Sequence, residues 1–349
     1  MEYLINTAGE FITPIGFDYI SKQSELTAVI FKGGKWGYIN LQGETLISPQ
    51  YNHAWPFSDE LAFVKMGSKS AFIDKNNKII IPYSNYEFRS FHEGVCAYKE
   101  KGKWGYINKN NETIVKAKYQ DVWNFREGFA GVKKKNIMGF IDLSGNEISK
   151  SFNYELVDDF TEGLARVKKD NKFGFINQDF EEIIPCLYSS ALNFSEGLAA
   201  VSVKNKWGFI NVKNELVIDS LFDKTALAFS EGLCGVIKNN KMGFINKLGD
   251  LVIHYNYDAE LIKSECHILF KENRCAVKLI ESNKHIFIDN EGTRIGKEFD
   301  ITYGYSNMLG LVSNKNKFGF IDKNGEIIID LKYSYATLFE NEVTIVSVN

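Results

Sequence analysis

The chain has 349 residues, 44% hydrophobic and 24% charged, with 27 Phe and 17 Tyr against only 5 Pro, a balance that excludes a disordered polymer. A net charge of −3 and a pI near 6.1 exclude a broad basic field, so neither nucleic acid nor a membrane surface is an expected partner. Five cysteines (Cys96, Cys186, Cys234, Cys266, Cys275) stand at spacings that match no disulfide framework.

The opening residues MEYLINTAGEF lack the basic start and apolar core of a signal peptide, and no apolar run approaches a membrane span. A soluble, cytoplasmic, monomeric protein with reduced thiols is the expectation.

Along the chain two short anchors alternate. The first reads KWGYIN at Lys35–Asn40 and Lys103–Asn108, KFGFIN at Lys172–Asn177, KWGFIN at Lys206–Asn211, KMGFIN at Lys241–Asn246 and KFGFID at Lys317–Asp322. A looser copy is IMGFID at Ile137–Asp142, and weaker ones place Ala71 and Ile286 at the glycine. From Gly37 through Ala71, Gly105, Gly139, Gly174 and Gly208 to Gly243 each step is 34 or 35 residues. The second anchor begins at Phe91, Phe125, Phe160, Phe194 and Phe229 with the pattern Phe-x-Glu-Gly, and in degenerate form at Phe57. Two coupled anchors on one period define a tandem repeat.

Each copy reads as a three-stranded antiparallel meander. In the clearest one, Leu198–Val203 alternates as a first strand, Lys204–Lys206 turns, Trp207–Asn211 follows, and Leu216–Ile218 is the third strand. The glycine after the aromatic sits inside a strand, where it predicts close approach of a neighbouring backbone or ring. The residues flanking it share one face, so each unit presents a dense aromatic pair to its neighbour. The Gly of the second anchor is expected at positive φ in a turn, with the preceding Glu bonded to N–H groups of that same turn.

At these residues the chain resembles the bacterial WG-repeat family, whose units alternate a Lys-Trp-Gly-Tyr/Phe-Ile-Asp/Asn strand with a Phe-Ser-Glu-Gly-Leu-Ala segment. The resemblance covers nearly the whole chain. It weakens at both ends, in the second copy, where Ser70 takes the aromatic slot, and in the eighth, where His285 does. The segment before Val29 is read as having lost its second anchor. The family implies a repeat architecture and carries over no catalytic residue and no cofactor.

Residues 1–349 are therefore expected to form a single all-β domain of about ten units, with second-strand slots near residues 3, 38, 72, 106, 140, 175, 209, 244, 287 and 320. Glu2–Asn6 resembles a second strand and the stretch from Phe339 to Val346 a first strand. Their pairing would close a propeller-like ring; the alternative is an open β-superhelix or solenoid.

Chemistry is sparse. Phosphate-loop, HExxH, CxxC and GxSxG patterns are absent from the sequence, and the five histidines are scattered over different repeats. Cys266, His267 and Cys275 match no zinc spacing, and Asp158-Asp159 reads as a solvated loop rather than half a cation site. No catalytic residue, metal or cofactor is expected, and the protein is not expected to be an enzyme. The recurring Glu93, Glu127, Glu162, Glu196 and Glu231 read as turn-holding residues rather than a cation-binding rim.

Breaks in the repeat point to candidate partner contacts. The irregular unit over 254–290 carries an insertion: Gly243 to Phe270 spans 27 residues, where Gly208 to Phe229 spans 21. Glu260, Lys263, Glu265 and His267 lie in it. Trp55 and Trp123 each stand two residues before a second-anchor Phe, outside the aromatic slot. The expected function is a non-enzymatic scaffold for a protein or peptide partner, with a toxin-inhibitor or immunity-type role as a narrower form. A glycan or cell-wall binding module is the alternative, and it requires Trp36, Trp104 and Trp207 to be exposed.

Overall fold

The computed structural model describes residues 1–225, 228–259 and 269–348. Among these the chain forms ten small antiparallel sheets. In most sheets the three strands read from the repeat are present and a fourth is added; among the described residues the sheet that ends at Ile137–Asp142 has no third strand, and the 3-10 turn Ser149–Ser151 follows instead. His53–Ala54, Ala62–Met66, Lys69–Ile73 and Ile79–Ser84 are hydrogen-bonded in that order, as are Ser190–Ala191, Leu198–Val203, Lys206–Asn211 and Leu216–Phe222. In sheets such as these two the leading strand is two residues long, too short to show alternation in the sequence, whereas Glu87–His92, Leu156–Thr161 and Ile301–Ser306 lead their sheets with six residues.

Glu2–Asn6 pairs in one sheet with Val343–Ser347 and Tyr335–Ala336. The two ends of the chain thus complete one blade together, and the fold is an all-β propeller of small blades rather than an open superhelix. By contacts the chain divides into two compact units. One comprises Met1–Glu2, Ile12–Asn171 and Phe175–Glu182, the other Tyr3–Phe11, Lys172–Gly174 and Ile183–Asn349.

The glycine inside the second strand is explained by its neighbour. A Cβ on Gly208 would meet the Ile218 carbonyl oxygen at 2.6 Å and the Ser220 nitrogen at 2.8 Å. The third strand bulges at this point, its register slipping between Trp207 and Phe209, and its backbone crosses over the glycine. Gly37, Gly105, Gly174, Gly243 and Gly319 are crossed by third-strand backbone in the same way. At Gly139 the crossing group is the Phe152 ring, delivered by the 3-10 turn Ser149–Ser151.

With the third strand held there, the aromatic pair faces the next sheet. In the first unit Tyr38 and Trp36 pack against Ala62, Val64, Ala71 and Ile73. In the second, Met242 and Phe244 pack against Cys275, Val277, Ile286 and Ile288. Cys275 is thus an ordinary buried strand residue. Each such ring removed from water stabilises by about 1.5–3 kcal/mol.

The Phe-x-Glu-Gly turns have φ of +51° at Glu93 and +79° at Gly94, so both central positions are left-handed, as a two-residue hairpin requires. Arg126 and Phe129 exchange the closing backbone bonds of the next such turn, which leaves its central N–H groups to be paired elsewhere. Here the expectation that each Glu holds its own turn is corrected, because the carboxylate crosses to the following repeat. The Gly128 N–H donates to Glu93 at 2.9 Å and the Gly163 N–H to Glu127 at 3.2 Å. In the second unit the Gly232 N–H donates to Glu196 at 3.1 Å, and the N–H groups of Glu272 and Asn273 both donate to Glu231 at 2.7 Å. The serine of the motif adds a second tie: Ser58 Oγ donates to the Phe91 carbonyl at 2.6 Å, and Ser195 Oγ to that of Phe229 at 2.9 Å. The segment before Val29 keeps this clasp despite its altered sequence. Ser24 Oγ donates to the Phe57 carbonyl, and Glu25 accepts the Glu60 N–H.

Two outcomes follow from these contacts. Gly208→Ala forces the third strand off the second and should cost about 1–3 kcal/mol, read as a lowered urea midpoint with an unchanged slope. Glu93→Ala should cost about 0.5–1.5 kcal/mol and speed hydrogen exchange at the Gly128 amide more than at the Gly94 amide, which Asp59 still holds.

Candidate binding groove

The two tryptophans singled out by position line one cavity in the first unit. It has a volume of 580 Å³, and its walls include Trp55, Phe63, Lys65, Arg89, Trp123 and Asp159. Paired in the sequence by their shared position before a second-anchor Phe, Trp55 and Trp123 are brought to one wall by the fold.

That position lies two residues before the second-anchor Phe and is held by backbone bonds. The Trp55 N–H donates to the Phe63 carbonyl at 3.0 Å, the Trp123 N–H to Gly131 at 2.9 Å and the Leu192 N–H to Ala200 at 2.9 Å. The Trp55 carbonyl accepts from the Tyr38 hydroxyl at 2.9 Å and the Trp123 carbonyl from Tyr106 at 2.7 Å. Burial pushes both phenols well above the ordinary tyrosine range. Tyr replaces Phe in the KWGYIN copies that precede each tryptophan, a signal present in the sequence and missed there.

The paired positions are complementary in size. Trp123 faces Gly131, whose missing side chain lets the indole lie within 3.5 Å of where a Cβ would stand. Leu192 faces Ala200, and Asp158 faces Arg166, which donates to it from Nε at 2.6 Å. In the second repeat both partners are large. Phe63 fills the space, its ring 4.4 Å from that of Trp55, and Trp55 projects outward with 37% of its surface exposed. Phe63 was also missed, although its siblings are Ala97, Gly131 and Ala200.

Charge lines the same walls. Arg89 donates to the Asp121 carboxylate at 2.9 Å and stacks 4.6 Å from the Trp104 ring, and Glu87 is 3.4 Å from Lys99 Nζ. Lys65 Nζ lies 5.6 Å from the Trp55 ring and 5.8 Å from that of Phe63. Asp159 is 3.5 Å from Arg126 Nε. Burial raises its carboxyl above the usual range, Asp158 adds to this, and Arg126 and His92 oppose it. Asp158 and Asp159 were expected in a solvated loop. They lie instead in the strand Leu156–Thr161, each paired with an arginine, because the register there turns both toward cationic neighbours.

Glu260, Lys263, Glu265 and His267, with Cys266, lie outside the described residues. Among the described residues no group of three or more His, Cys, Asp or Glu side chains could hold a metal ion. Trp104 is 6% exposed, and Trp36 and Trp207 are half-buried in the packing between sheets.

A carboxyl raised in the folded state opposes folding once it ionises. Asp159→Asn should therefore be more stable than the parent at pH 7, and the gain should vanish as the pH falls below the ordinary 3.8, where both side chains are neutral. Thermal melts across pH 3 to 7 read this directly.

The model of the WG containing repeat matches residues 4–36, 36–69, 71–104, 104–136, 138–173, 173–207, 207–241 and 318–349. Among solved structures, a eukaryotic initiation factor is similar with a TM-score of 0.52 at 10% identity, over 82% of this chain and 89% of that one. Hsv2 from Kluyveromyces lactis gives a TM-score of 0.34 at 10% identity over 66% of this chain and 90% of its own, too low to carry an argument. The same holds for the dihydro-heme d1 dehydrogenase NirN in complex with DHE, at 0.40 and 10% identity over 85% and 77%. At such identity the first likeness shows the fold alone. No curated protein matches the chain.

Proposed function

Since the chain belongs to the WG containing repeat family, whose copies here build a β-propeller, we propose that it is a non-enzymatic scaffold taking a segment of a protein partner into the cavity walled by Trp55 and Trp123. The observation that carries this reading is the break in size complementarity at Trp55 and Phe63. A repeat position whose side chain elsewhere packs against a small or oppositely charged partner here directs an indole outward beside an open cavity. Tryptophan and arginine are the residues most enriched where protein interfaces concentrate their affinity.

The charged groups favour binding over catalysis. Arg89 and Glu87 are each paired with a neighbour on the wall, so they shape the cavity and do not converge on one reacting point. The glycan reading needed the repeat's own tryptophans on the surface, and their place in the packing speaks against it.

The test is capture of partners from an extract of the source cells, with the parent chain and with Trp55→Ala/Trp123→Ala as bait. A specific partner should be retained by the parent and lost from the double variant, each truncation weakening binding by 30-fold or about 2 kcal/mol. Both baits must give the same circular dichroism. An identical captured set from both would remove this cavity as the binding site.

A further inference from the structure

A second cavity of 340 Å³ abuts the first, lined by Tyr19, Ser21, Trp36, Ala54 and Trp55. Trp55 lines both, so the two cavities meet at this residue and together make one longer trough. Ser21, Trp55, Arg89 and Trp123 occupy equivalent positions in four successive repeats, and together they contribute one side chain from each to this trough. A trough that steps from repeat to repeat suits an extended chain, whose side chains alternate along its length, better than a compact small molecule.

Its aromatic lining calls for apolar side chains on either side of Trp55, and the charge balance decides the rest. Arg89 is neutralised by Asp121 at 2.9 Å, Glu87 lies 3.4 Å from Lys99, and Asp159 lies 3.5 Å from Arg126. Lys65 is different. Its ammonium rests over the Trp55 and Phe63 rings, and among the described residues it makes no ion pair. A cation held by ring faces keeps its full charge and its donors for an incoming acceptor.

Resting on the reading above, we infer that the partner segment is an extended acidic peptide. It lies along this trough with apolar side chains on both sides of Trp55 and a carboxylate on Lys65. The carboxylate brings a negative partner to the Lys65 ammonium, while the apolar side chains cover the indoles. Recognition should therefore weaken with salt, without vanishing when the charge is fully screened.

The experiment uses the full chain and two pools of fluorescein-labelled dodecapeptides, each with two fixed leucines. One pool carries glutamates at the remaining fixed positions and the other lysines; neutral cellohexaose serves as a third probe. Fluorescence anisotropy should show the glutamate pool binding at least 10-fold more tightly than the lysine pool. Lys65→Glu should reverse that order, Lys65→Met should erase the preference, and Trp55→Ala should weaken both pools. Equal binding of the pools by the parent, or an unchanged preference in both Lys65 variants, overturns the inference. So does binding of cellohexaose with neither peptide pool, which would assign the trough to glycans. If neither pool binds while Trp55→Ala/Trp123→Ala still abolishes capture of a natural partner, the acidic-peptide inference falls and the scaffold reading stands.

Discussion

Most blades depend on an absent side chain, with Ala71 and Ile286 taking the slot in two others. Where the third strand bulges across the second, its backbone passes through the space a Cβ would need, and only glycine at Gly37, Gly105, Gly208 and their counterparts admits it. That crossing holds the third strand against the second and leaves the two flanking aromatics facing the neighbouring sheet. The core is then a succession of identical joints, with rings from one sheet against small and branched residues of the next. No blade carries enough apolar surface to fold by itself, and stability resides in the contacts between blades.

The turns add a second, polar layer to the same joints. A hairpin turn with two left-handed central residues closes with its own outer pair and leaves its inner N–H groups facing outward. In an isolated hairpin water would satisfy them. Here the glutamate of the preceding repeat accepts from them, and where that repeat carries serine its hydroxyl donates to the neighbouring Phe carbonyl, so the motif is at once a turn and a clasp. This explains why a polar triplet recurs so strictly: the glutamate serves the following turn, which carries the same need in its place.

Against such regularity, departures stand out by their physical consequences. Most departures compensate within a pair, as Trp123 does with Gly131 and Asp158 with Arg166. The pair Trp55 and Phe63 does not, and the surplus volume appears as an exposed indole between two cavities. Asp159 is a parallel case, a carboxyl kept partly from water beside the Arg126 guanidinium, with burial the larger influence on its ionisation. Sites built for recognition tolerate local cost of this kind where a purely structural joint would not.

By itself the sequence determined the repeat, its period, the strands around each glycine, the shared terminal blade and the outlying positions of Trp55 and Trp123. All of these follow from local pattern, because strand alternation, turn residues and glycine spacing are short-range signals. It was silent on the two-residue leading strands, since two residues carry no period, and it misassigned the glutamates, since nothing in a single repeat shows that a carboxylate reaches the next. The groove was legible only in part. Two of its tryptophans broke the pattern visibly, whereas Phe63, Lys65, Arg89 and Asp159 gained meaning once neighbouring sheets were set side by side. Tertiary structure decided the partnerships, because a bond between residues some 35 positions apart is set by how whole blades stack and not by the chain between them.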